Sequence, residues 1–244
     1  MKGIIQQEVS ILANVILNPS EKYGRQSALV DPKELEKLKV TFIGTGSIGS
    51  FAAAALARMG ILKFELWDDD KVDVVNLSNQ DFPEAALGQY KVEALKERLL
   101  SIESKAVVVV HPERWEGQSL FSGIVVSSVD NLPTRRKIWQ EGIKMNPRVP
   151  IFIDPRMGAL YGNVYCINPS NTNYFKPYEE ELTDVGVQEL PCTGRTIVFN
   201  VVGLASIIGA HVVRYVKREP ILYEVRADFH NLEWKSRALP LKVV

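Results

Sequence analysis

Short runs of apolar and β-branched residues punctuate this chain at 40–43, 63–67, 105–111, 122–128 and 149–154. Each reads as a strand, those at 105–111 and 122–128 as buried ones. The segment 51–59 is rich in alanine and holds no breaker, so it reads as a helix. A second helix is expected over 134–141. A third, 196–216, is apolar on nearly all sides, with Gly203 and Gly209 spaced for close helix approach. Asn200, Ser206 and His211 interrupt it, which favours a central or dimer-interface helix over a membrane span. At the start, Ile4, Val9, Leu12, Ile16 and Leu17 fall at helical intervals, giving a leading helix that packs on the body or on a second subunit. The run 162–167 is β-like, and 222–229 reads as an edge or dimer-linking strand. Residues 154–158 read as a turn, with Asp154 and Arg156 either forming an ion pair or lying near a site. Residues 169–191 read as a mobile crossover segment or a solvated surface loop.

The first strand and first helix are joined by Gly44-Thr45-Gly46-Ser47-Ile48-Gly49, the strand–loop–helix context that a nucleotide fingerprint requires. Gly44 allows the tight turn, Gly46 the close approach of a phosphate, and Gly49 close helix-to-strand packing, with the helix N-terminus attracting an anion. Asp68 ends the second strand about 20 residues further on, where a carboxylate binds ribose hydroxyls. By itself this loop suits NAD, FAD, S-adenosylmethionine or ATP. The residues beyond it separate these ligands: Asp68-Asp69-Asp70, Asn76-Leu77 with Gln80, and Gly88-Gln89-Tyr90-Lys91. Hydride transfer has no use for an amide and a lysine here, whereas attack on a triphosphate needs cationic and amide donors around its oxygens.

Composition narrows the partners. The chain has 244 residues, 46% apolar and 24% charged, enough for one sizeable core. Basic and acidic residues balance at 29 each, so no net field steers the protein to nucleic acid. No run of 18 or more apolar residues appears and the start lacks the marks of a signal peptide, from which a cytoplasmic protein is expected. Of two cysteines, Cys166 sits in the β-like run and reads as a small buried hydrophobe. Cys192 lies in Leu190-Pro191-Cys192-Thr193-Gly194-Arg195. It is either a thiol activated by an arginine and a nearby helix start, or a loop residue packed beneath the late helix.

Taken in order, Tyr23-Gly24-Arg25-Gln26, the glycine loop, the 68–70 acidic run, Asn76-Leu77 with Gln80, the 88–93 segment and Ser128-Val129-Asp130-Asn131 make the chain resemble the E1-like, ubiquitin-activating superfamily of the ThiF, MoeB and HesA proteins. The resemblance covers about residues 20–215. It implies an α/β fold, doubly wound and Rossmann-like, with a mostly parallel sheet and an antiparallel extension. One domain is expected: an N-terminal helical segment to residue 35, a nucleotide-binding half over 36–150, then the crossover loop and C-terminal half over 151–244. It also implies an ATP- and Mg2+-dependent adenylyltransferase acting on the C-terminal carboxylate of a small ubiquitin-like or sulfur-carrier protein, or of a peptide, as a homodimer. By the same resemblance Asp68 lies on the ribose, Asp70, Asn79 and Ser47 of the glycine loop belong to the cofactor-binding set, Asn76 and Lys91 contact phosphates, and Asp130 holds the metal. Arg25 reaches the partner subunit's ATP site, and Cys192 is a candidate for thioester or persulfide formation. The residues also allow plainer roles: Lys91 as a solvated helix residue, Asp130-Asn131 as a helix cap, Arg25 as a surface charge. The two C-x-x-C pairs of many relatives are missing, so no structural zinc is expected. Where the family usually carries an arginine this chain has Asn79. Either Arg135 or Arg136 replaces that charge, or adenylation is slow or lost, leaving a nucleotide-binding interaction protein. An NAD-dependent oxidoreductase is the alternative if the glycine loop and Asp68 are taken alone.

Overall fold

The computed structural model describes residues 19–183 and 196–239; the expected leading helix at 4–17 lies outside them. Two short helices, α1 (Pro19–Lys22) and α2 (Pro32–Glu36), precede β1 (Lys39–Ile43) and α3 (Ser47–Met59). Then come β2 (Lys63–Trp67), α4 (Lys91–Ile102), β3 (Val107–His111), β4 (Ile124–Ser127) and α5 (Leu132–Lys137). The second half holds β5 (Phe152–Gly158), β6 (Tyr161–Ile167), α6 (Phe175–Glu181), α7 (Val198–Val216), β7 (Glu224–Asp228) and β8 (Glu233–Arg237).

All strands join one 8-stranded sheet in the order β3-β2-β1-β4-β5-β6-β7-β8. The pairs from β3 through β5 are parallel, and those from β5 through β8 antiparallel. The expected mixed sheet is therefore present. Because side chains alternate across a strand, neighbouring residues feed opposite cores. Phe42, Leu66, Val126 and Ile153 enter one cluster with α3, α4 and α7. Ile43, Trp67, Val125 and Phe152 enter another, largely aromatic, with Trp139, Tyr178 and Tyr223. Each such fully buried large side chain contributes about 1.5–3 kcal/mol. Of the two α7 glycines expected to allow close helix approach, Gly209 lies against Met59 of α3, whereas Gly203 lies against the ring of Phe229, just after β7 and not on a helix. By length and composition α7 could cross a membrane, but half of its most apolar window is buried within the protein.

Several expectations need correction. The 105–111 run forms β3 at the sheet edge, where Val107 and Val109 are exposed; a β-branched run reports strand propensity, and only topology assigns its depth. The expected turn at 154–158 is instead part of β5, held in register by β6. The expected edge strand at 222–229 is interior, because β8 pairs outside it. The helix expected over 134–141 begins at Leu132 and continues after Lys137 as a π-helical turn, Ile138–Ile143. Residues 172–181, read as crossover loop, are helical and bury Tyr174 and Tyr178 in the aromatic core.

Candidate functional site

Strand order reverses at β1, which has β2 on one side and β4 on the other, so a crevice opens beyond the carboxyl ends of these strands. A cavity of about 400 Å3 lies there, between the glycine loop, the segments after β2 and β3, and the turn after β4.

The loop's backbone accounts for its glycines. Gly44 has φ +88°, and a Cβ there would come within 2.7 Å of the Ser128 carbonyl oxygen. A methyl at Gly49 would strike the Gly44 carbonyl oxygen, so this glycine lets α3 sit against the end of β1. Gly46 differs: a Cβ there would meet only the Gln80 amide nitrogen, at 3.8 Å, leaving its cavity side open to a ligand. Gly46 and Ser47 begin α3, so its unpaired amides face the same space.

Asp68 first supports the loop. Its Oδ2 accepts from the Thr45 amide at 2.6 Å and the Thr45 hydroxyl at 3.1 Å, and its Oδ1 from the Asp70 amide at 2.9 Å. Burial raises its pKa, with the Lys91 charge pulling the other way. Lys91, 7% exposed, starts α4 and bonds Asp70 at 2.7 Å, so it is no solvated helix residue. Asn76 closes a capping box, its Oδ1 accepting from the Asp73 amide at 2.9 Å, which leaves the amide nitrogen to serve a ligand. Asn131 caps α5 through the Thr134 amide at 2.9 Å, whereas Asp130 is exposed and lines the cavity.

Asn79 lines the cavity too, but its amide nitrogen is given to the Thr196 hydroxyl at 2.6 Å. The two arginines expected to replace the missing charge are engaged elsewhere. Arg135 is buried against Asp154 and the carbonyls of Ser127 and Val129, although it borders the cavity. Arg136 donates to the Leu182 carbonyl at 2.9 Å. A cation that the sequence did not mark is Arg114, just past β3, which lines the cavity and pairs with Asp69 at 3.2 Å. Its position was knowable in principle, because residues that come after strands beside a switch point ring the crevice.

Asp154 and Arg156, expected as an ion pair or as site neighbours, form the pair: Arg156 bonds Asp154 at 2.9 Å and Tyr178 donates to the same carboxylate at 2.8 Å. Cys166 is buried, and burial pushes its thiol up to about 12, as suits a core residue. Arg25 is exposed and does not line this chain's own cavity. Cys192 lies outside the described residues.

A nucleotide and a hard cation fit this lining. Trp67 Nε1, Asn79 Oδ1 and Gln80 Oε1 are buried, border the cavity and have no hydrogen-bond partner among the described residues. Such atoms are normally satisfied. Asp130 and the clustered carboxylates of Asp68, Asp69 and Asp70 line the same cavity and supply oxygen ligands of the kind Mg2+ prefers.

The ThiF family model matches residues 23–241. The chain belongs to the ThiF family. Among its relatives, ubiquitin-like modifier-activating enzyme 5 of Caenorhabditis briggsae is 27% identical over 194 residues, covering 70% of this chain and 44% of that protein. The Caenorhabditis elegans counterpart is matched over 49% of its length, so this ThiF-family chain spans less than half of each worm enzyme. The tRNA threonylcarbamoyladenosine dehydratase of Bacillus subtilis is 36% identical over 92 residues, 36% of each chain. In fold the ThiF-family chain matches E. coli MccB solved with AMPCPP and MccA, with a TM-score of 0.70 at 20% identity, over 93% of this chain and 74% of that one. It matches PaaA with a TM-score of 0.71 at 17% identity, over 92% and 85%. These last two likenesses establish the shared E1-like fold.

Proposed function

We propose that this chain is an ATP- and Mg2+-dependent adenylyltransferase that activates the C-terminal carboxylate of a small ubiquitin-like or sulfur-carrier protein, or of a peptide. The observation that carries this reading is the single cavity where the α3 amino end, Lys91, Asn76 and Asp130 converge. Two relatives lend support: one is by name an activator of a ubiquitin-like modifier, and MccB binds both a nucleotide analogue and MccA.

A substrate carboxylate oxygen attacks the α-phosphorus, the bond from that phosphorus to the bridging oxygen breaks, and pyrophosphate leaves with the electron pair. The product is an acyl-adenylate. A carboxylate is already ionised, so no side-chain base is required, and the protein's part is to orient and neutralise. The α3 amides and the Asn76 amide nitrogen donate to phosphate oxygens, while Lys91 exchanges Asp70 for phosphate. Asp130 would hold Mg2+, which when bound spreads positive charge over the phosphate oxygens. Arg25, exposed and not lining its own chain's cavity, fits a contact to the nucleotide of a second subunit, so a homodimer belongs to this proposal.

ATP–pyrophosphate exchange is the test. Exchange should require ATP, Mg2+ and a candidate carrier or peptide with a free carboxylate. If ATP binds tightly yet no candidate supports exchange, the second reading gains: a nucleotide-binding interaction protein without turnover. Asn79 favours that alternative, since its amide is tied to Thr196 at a position where the E1-like resemblance implies a charge.

A further inference from the structure

The cavity's own charge opposes the ligand proposed above. Its lining carries the carboxylates of Asp68, Asp69, Asp70 and Asp130 against the cations Lys91, Arg114 and Arg135. A nucleoside triphosphate adds several more negative charges, so every mobile cation counts. Arg135 is not mobile: it is one of two arginines that neutralise Asp154, which is fully buried, and withdrawing it would break up an ion-pair cluster in the interior. Lys91 is held at a buried position by Asp70 and supplies a point charge. Asn79 carries no charge and is occupied by Thr196.

Arg114 differs from all of these. Its side chain is 59% exposed and its partner Asp69 45%, with one nitrogen–oxygen contact of 3.2 Å between them. An exposed pair of this kind contributes little, so exchanging Asp69 for another anion costs little. The charge of Asp69 acts most strongly on Arg114, with Glu116 and Asp130 adding to it, so the guanidinium stays firmly charged. A guanidinium also offers the fork of donors that grips phosphate oxygens in pairs.

We propose that Arg114 is a phosphate-binding residue of this site, releasing Asp69 when the triphosphate enters and supplying the guanidinium that the Asn79 position lacks. The proposal rests on the reading of the cavity as an ATP site. The arginine lies after β3 and lines the same cavity as Asp130.

Calorimetric titration of the full chain with Mg2+-ATP and, separately, with adenosine tests it. Arg114→Ala should weaken ATP by at least about tenfold while adenosine changes by less than about twofold, and Arg114→Lys should fall between. An ATP affinity unchanged in Arg114→Ala overturns the proposal. A parallel loss for adenosine also overturns it, because the guanidinium would then sit on the nucleoside. Asp69→Asn, compared with wild type using ATP in Mg2+-free buffer so that no metal ligand is at stake, gives a second reading, since it frees Arg114 without touching it: ATP should bind about two- to fivefold tighter, and an unchanged or weaker affinity counts against the exchange. The two readings separate cleanly. A wild-type protein that binds no ATP removes both, whereas normal wild-type binding with an indifferent Arg114→Ala removes the arginine's role alone.

Discussion

Two clusters of charge lie at the carboxyl ends of the sheet, and they are built on opposite principles. In the first, beside β5, Asp154 is fully buried and gathers Arg135, Arg156 and the Tyr178 hydroxyl, while Arg156 also stacks over Tyr165 and donates to the Glu181 carbonyl. Its charges satisfy one another in a dry setting. In the second, over β1 and β2, Lys91 pairs with an exposed Asp70 and Arg114 with an exposed Asp69. Both pairs border the cavity, and their carboxylates stay in contact with water even though Lys91 itself is buried. Burial of the carboxylate thus separates charges committed to the fold from charges available to a ligand, although both clusters use the same residue types.

Breaking the buried cluster should have the largest effect. Asp154→Ala leaves two arginines without their counter-ion, and a loss of about 3–5 kcal/mol in unfolding free energy is expected by urea titration. A loss below about 1 kcal/mol would mean the cluster is solvated after all.

A buried titratable group in the same half makes the point through pH. His211 in α7 is buried, its Nε2 has no hydrogen-bond partner among the described residues, and burial, helped by Arg214, pushes its pKa down from 6.5 to about 4. The unfolded chain therefore takes up a proton near pH 6.5 that the folded chain refuses until about pH 4. Stability should fall as pH drops through that window, by on the order of 3 kcal/mol. His211→Leu should remove this component from the pH dependence of the melting temperature, and an unaltered slope would assign the loss to other groups.

The exchangeable cluster should behave in the reverse way. Lys91→Ala is expected to slow ATP–pyrophosphate exchange by about 100-fold, or about 2.7 kcal/mol. The melting temperature should move little, because the partner lost is an exposed carboxylate. Equal damage to stability and exchange would erase the distinction between the clusters.

The glycine loop sharpens the comparison on a smaller scale. Gly49→Ala places a methyl against the Gly44 carbonyl and should cost about 1–3 kcal/mol of stability. Gly46→Ala meets nothing closer than 3.8 Å, so it should fold normally and lose nucleotide affinity alone. Urea titration and ligand-dependent melting, run side by side, separate the two outcomes.

Much of this was legible in the residues. The strand–glycine–helix succession, the acidic end of β2 and the lysine opening α4 are local patterns, and each has a local cause: a left-handed backbone at Gly44, a close helix contact at Gly49, donors at a helix start. Their order along the chain was enough to place Gly46, Ser47, Asp68, Asp70, Asn76, Asn79, Lys91 and Asp130 around one crevice. Arg114 escaped because nothing beside it in sequence marks it. It enters the site only because β3 lies next to β2 and ends at the same rim.

By itself the sequence determined the mixed α/β class, the nucleotide loop and the family, since these rest on short-range backbone geometry and on the order of motifs. Tertiary structure alone decided depth and partnership. β3 became an exposed edge, 154–158 a strand, Arg135 the counter-ion of Asp154, and Asn79 a tether for Thr196. The physical reason is common to all four. Exposure and charge pairing are set by residues distant in the chain, brought close by sheet order, and no local pattern encodes which of two chemically equal arginines will be buried.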